Sequence, residues 1–154
     1  MHARSRFARC RPVAGTESVE EVVDGPEDAV SAVRSSMAPT APPQLVFLFC
    51  DTHRVVRLAV SVSGAGPADA PRGAECLLSP AADGWVTGIV VGLVLPGDST
   101  ELGMEEVAAL LELSAICDDV GLEILEVVVI AGSHSRSILS LVVGGFAGGN
   151  NGDQ

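Results

Sequence analysis

Cys10, Cys50, Cys76 and Cys117, His2, His53 and His134, and the acids that follow Pro96 are the side chains with chemistry to offer. The cysteines form no CxxC pair and have no metal-ligand spacing. Cys50 ends an apolar run and Cys117 sits at a core position of a helix, so both read as small buried hydrophobes. Cys76, beside Glu75, becomes a nucleophile only with a histidine base at hand. His53 and His134 both fall in turns. If they meet in space with Asp51 or Asp98, a metal or acid/base pair results; if not, they are solvent-exposed turn residues. Gly97-Asp98-Ser99-Thr100 precedes a helix and so resembles an anion cradle. Asp98, Glu101, Glu105 and Glu106 would repel a phosphate there. Gly64-x-Gly66 lacks the strand-to-helix context of a dinucleotide fingerprint. Ser133, Ser135 and Ser137 alternate with His134 and Arg136, with no acid spaced to complete a triad.

The elements that must position these residues follow from periodicity and breakers. A short helix starts at Gly25-Pro26, with Glu27 and Asp28 at the positive end of its dipole and Ala29, Val30, Val33 and Met37 as its apolar stripe. The prolines of Ala38-Pro39-Thr40-Ala41-Pro42-Pro43 end it. Gln44 to Cys50 is an apolar strand, Asp51 to Arg54 a turn, and Val55 to Val62 a second strand, making a hairpin. A loop covers 63–67, and Ala74 to Ser79 is a short helix stopped by Pro80. Trp85 to Leu95 is a central strand, apolar throughout and hence covered on both faces. Glu105 to Val120 is a helix with Val107, Leu110, Leu111, Ser114 and Cys117 on one face and Gly121 as its stop. Leu122 to Ala131 is a strand, 132–135 a turn, and Ser137 to Val143 a last short strand. The order β-β-α-β-α-β-β predicts an α/β (α+β) protein, a mixed sheet flanked by helices.

Composition agrees with one globular domain plus tails. Apolar residues make up 47% of 154 residues, and aromatics only 3%, so aliphatic side chains must fill the interior. There is no Lys, and Arg4, Arg6, Arg9 and Arg11 crowd the first eleven residues, where no acid occurs. All 20 acids lie beyond, against five Arg. A body this acidic repels nucleic-acid backbones. The longest apolar run, Ile89 to Leu95, is far short of the roughly 20 residues of a membrane span. No apolar block follows the N-terminal arginines, so a secretory signal is not expected and a cytoplasmic location is.

Leu93-Val94-Leu95-Pro96, the Gly-Asp-Ser-Thr loop and the acidic helix start resemble the JAB/MPN domain, most closely its RadC-like branch. In that family a strand ends in HxHP, and a helix Asp ten residues after the Pro completes a zinc site with the two His. Here Leu93 and Leu95 fall on the histidines, Gly103 on the family's Ser, and Glu106 on the Asp; a one-residue deletion in the loop would move that role to Glu105. Leu45 to Val56 is similar to the family's opening hairpin, and Asp118 to Gly132 to its late helix, Gly-Ile junction and strand, with Gly121-Leu122 at the junction. Pro71-Arg72 with Glu75, and Ser135-Arg136-Ser137, resemble its shorter motifs. The resemblance spans residues 44–143.

It implies a zinc hydrolase scaffold, and the departures decide the chemistry. Zinc takes lone pairs from imidazole, thiolate or carboxylate at about 2.0–2.3 Å. Alternate strand positions share a face, so two isobutyl groups line the place of the metal. No metal or other cofactor is expected. The predicted function is a non-catalytic module, a pseudoenzyme that binds a protein partner or a second copy, with Leu93, Leu95, Pro96, Asp98, Gly103 and Glu106 as the vestigial pocket or docking groove. The alternative is a hydrolase or ligand-binding protein whose pocket is rebuilt from His53, Asp98, Glu106 or Cys76. The expected organisation is a disordered basic tail (1–15), an N-terminal helix with Pro-rich linker (16–43) forming an appendage, the JAB/MPN-like domain (44–143), and a flexible Gly-rich tail (144–154).

Overall fold

The computed structural model describes residues 11–12, 21–74 and 83–143. Its strands are β1 (Arg11–Pro12), β2 (Gln44–Cys50), β3 (Val56–Ser63), β4 (Gly88–Leu95), β5 (Glu123–Ala131) and β6 (His134–Ser137). The helices are α1 (Pro26–Ser36), α2 (Met104–Asp119) and α3 (Leu139–Val142), with 3-10 turns at Pro67–Asp69 and Arg72–Ala74. One sheet runs in the order β1-β3-β2-β4-β5-β6. Among the described residues only β4 and β5 pair in parallel, and α2 supplies the crossover that a parallel pair requires. The fold is α+β with a mixed sheet, as the element order predicts.

Both faces of the sheet are covered, which explains why β2 and β4 are apolar without alternation. Leu45, Phe47 and Phe49 join Leu93, Leu110 and Leu113 in a core on the α2 side. Val46, Leu48 and Cys50 join Ala29, Val33, Val90 and Val128 in a second core on the α1 side. Helix α1, set apart in the sequence reading as an appendage, thus closes one face of the sheet. Its residues Ala29, Ala32 and Val33 are fully buried, and burying such a stripe is what holds so short a helix in water. The Pro-rich stretch behind it is tied down by Gln44, whose Nε2 donates to Ala38 O (3.1 Å) and whose Oε1 accepts from Ala38 N–H (2.9 Å).

Three further expectations change. Arg11–Pro12, expected in a disordered tail, pairs antiparallel with β3, whose outer edge offers unpaired backbone groups. Ser137 to Val143 is not a strand: β6 is spent by Ser137, and Leu139–Val142 turns helical, so that Ile138 and Val142 enter the α2-side core. The buried stripe of α2 is Ala109, Leu110, Leu113 and Cys117, while Leu111 is 40% exposed. The expected short helix 74–79 lies, beyond Ala74, outside the described residues, as do residues 1–10, 13–20 and the tail 144–154.

Candidate functional site

The junction between β4 and α2 carries the positions singled out by sequence. Leu93 is completely buried, and Leu95 packs partly buried against the same core. Both lie on the α2 side, as a period of two dictates. Leu93 is therefore sealed from any partner, contrary to its expected place in a docking groove; a strand between two packed layers leaves its side chains no route to the surface. Pro96, Asp98 and Gly103 are exposed, and Gly97 turns the chain at a φ of 82°, where a Cβ would be strained. Glu106 Oε1 accepts the Gly103 N–H at 2.8 Å. That bond satisfies a backbone donor that the helix start leaves open, in the manner of a capping box, so the carboxylate has a structural task. Glu105, the alternative, is exposed.

Beyond the loop, four elements are laced together at the C-terminal ends of β4 and β5. Asp98 Oδ1 lies 3.0 Å from where a Cβ on Gly132 would be. An Arg34 guanidinium nitrogen donates to Gly132 O at 3.2 Å, and one from Arg136 donates to Thr100 O at 2.9 Å. Neither bond is readable from the sequence, because the acceptors are backbone carbonyls 98 and 36 residues away. Between α1 and β6 lies an open groove of about 600 Å³, with Val30, Ser31 and Arg34 on one side and Ser135, Arg136 and Ser137 on the other. Deeper, the Ser137 hydroxyl donates to the buried Glu126 carboxylate at 2.8 Å.

His53 sits at the other end of the sheet. Cys50 pairs with Gly88 at the start of β4, whereas Gln44 pairs with Val94 near its end. Eight residues of β4 thus separate the His53 turn from the Asp98 loop, about 23 Å at the rise of a strand. A rebuilt pocket shared by His53 and Asp98 has no place in this topology. His134 lies at the Asp98 end, exposed, opposite Ala131. Cys76 lies outside the described residues. Among the described residues, no group of three or more His, Cys, Asp and Glu is arranged to hold a metal ion.

The His53 turn is held by Asp51. Its Oδ1 accepts the N–H groups of His53 (2.9 Å) and Val55 (3.1 Å), and its Oδ2 accepts Arg57 Nε (3.0 Å). Desolvation pulls the Asp51 carboxyl upward, but the bonds from Val55, Arg57 and His53 outweigh it and hold the group below its ordinary value. Arg54, at a φ of 63°, donates from Nε to Val23 O at 2.7 Å, joining the segment before α1 to the hairpin. The Cys50 thiol is pushed up to about 12 by burial and then by Asp51, against a smaller opposing pull from Arg54. Burial, with Asp118, pushes the Cys117 thiol up to about 11. Thiols so held are poor nucleophiles at neutral pH.

Among the described residues no helix is long and apolar enough to cross a membrane. No known protein family's sequence profile matches the chain, and no curated protein matches it.

Proposed function

We propose that this chain is a non-catalytic module of the JAB/MPN type, resembling its RadC-like branch, and that it acts by binding a protein partner. The observation that carries the reading is the fate of three side chains at the β4–α2 junction. Leu93 is sealed in the core, Leu95 packs on it, and Glu106 caps its own helix. Hydrocarbon offers no lone pair to a cation, and a single exposed carboxylate such as Asp98 does not make up a catalytic zinc set. Partner binding is supported by the large apolar side chains of Met104 and Leu111, two turns apart on one side of α2 and both left at the surface, because an uncovered apolar stripe marks an interaction site.

Hydrolysis of peptide and isopeptide amides by the purified full chain, with and without added zinc, tests the non-catalytic half. The expected rate equals the buffer blank in both. Zinc-dependent turnover that disappears in Glu106→Gln would overturn the reading.

A further inference from the structure

Helix α2 is apolar on two opposite sides. Its core side presents Ala109, Leu110, Leu113 and Cys117 to the sheet. On the far side Met104, Ala108, Leu111 and Ala115 are all exposed, Met104 at 89% and Leu111 at 40%. At 3.6 residues per turn these four fall within an arc of about 60°. Their spacing of four, three and four is that of a coiled-coil seam, with large Met104 and Leu111 alternating with small Ala108 and Ala115, which leave holes between the knobs. A helix that only covers a sheet has no use for this second stripe; water-facing positions of such a helix are ordinarily polar.

The flank of the stripe states what would cover it. Glu105, Glu112 and Asp119 follow one another at seven-residue intervals along its edge, the place of the charged flanking positions of a heptad. Among the described residues none of the three forms an ion pair; the ion pair seen there is Arg57–Asp51. No Arg or Lys occurs in the chain between Arg72 and Arg136, so every charged side chain of α2 itself is acidic. A second copy docked through the same stripe would bring acid against acid. An anionic lipid surface would be repelled in the same way.

We propose that the outward face of α2 is the docking surface of this module and takes a cationic amphipathic helix of a partner protein. The partner's apolar residues lodge beside Met104 and Leu111 over the two alanines, and its Lys or Arg residues meet Glu105, Glu112 and Asp119. The assignment rests on the partner-binding reading above and names the face and the partner's chemistry.

Fluorescence anisotropy of synthetic helical peptides with the full chain tests it. One peptide carries Leu at its seam and Lys on the flanks; a second has the same composition with scrambled apolar positions; a third has Glu in place of Lys. The native chain binds the first and neither of the others. Leu111→Gln, at an exposed position and without change of charge, weakens that binding about tenfold. The charge-reversed variant Glu105→Lys with Glu112→Lys and Asp119→Lys switches to the third peptide. Absence of binding, equal binding of ordered and scrambled peptides, or indifference to Leu111→Gln overturns the assignment. Self-association in sedimentation that Leu111→Gln abolishes overturns it too, assigning the face to a second copy. Zinc-dependent hydrolysis would sink the non-catalytic reading alone and leave the peptide result standing.

Discussion

Val33 of α1 rests directly on Gly92 of β4: a Cβ on that glycine would lie 2.6 Å from Val33 Cγ1 and 2.9 Å from Cγ2. Gly92 is paired with Val46 on one side and Val128 on the other, so the strand has no freedom to retreat. The glycine is the seat that lets α1 approach the sheet and close its second core.

Gly92→Ala therefore pushes α1 outward, at a cost of about 1–3 kcal/mol of the kind overpacking imposes. Urea unfolding measures it. Adding Val33→Ala recovers part of the loss, so the double-mutant cycle shows a coupling that separated sites lack. Additive effects would mean that the two residues do not touch.

Leu93→Ala leaves a cavity among Phe47, Leu110 and their neighbours and should cost about 2–5 kcal/mol in the same assay. Leu95→Ala costs less, because Leu95 is already partly exposed. Leu93→Asp prevents cooperative folding instead of merely detaching a partner. A well-folded Leu93→Asp chain would contradict the burial described above.

At the hairpin turn, Asp51 and Arg57 share an ion pair but not a burden. Asp51→Ala removes the acceptor of two backbone N–H groups and should cost about 1–3 kcal/mol. Arg57→Ala, whose side chain is 52% exposed, should cost about 0–1 kcal/mol. The folded Asp51 carboxyl lies below its ordinary 3.8. Its contribution is thus complete above that value and is lost as pH falls through the lower folded value. Asp51→Asn flattens this acid arm of the stability profile; an unchanged arm would contradict the shift.

Cys50 and Cys117 react with thiol reagents only after unfolding. Their folded thiols are raised from 9.0 to about 12 and about 11. The unfolded chain then loses protons first, and stability falls as pH rises past 9, continuing down until the folded thiols ionise. Peptide mapping by mass spectrometry after brief alkylation at neutral pH checks the burial. Rapid native labelling of either residue would contradict it.

The hairpin, the central strand and α2 were legible because breakers bound them: Asp51-Thr52-His53-Arg54 between two apolar runs, Pro96 after β4, and Gly121 after α2, where φ is 80°. The end of the chain was not legible in the same way. Ser137 to Val143 is apolar enough for a strand, and only the core opening under Ile138 and Val142 selects a helix. The buried face of α2 is hidden from sequence for a related reason: apolar residues occupy both of its sides, so periodicity alone cannot say that Leu113 turns in and Leu111 out. Nor could spacing reveal that Arg34 fastens the turn after β5 and Arg136 the loop after β4, since both reach distant carbonyls. His53 and Asp98 were candidates for one pocket until antiparallel pairing of β2 with β4 put them at opposite ends.

Calorimetric titration of the full chain with zinc tests most directly whether the β4–α2 junction holds a metal. No saturable heat is expected, in the native chain and in Asp98→Asn and Glu106→Gln alike. Uptake of one equivalent, lost in either variant, would contradict that expectation.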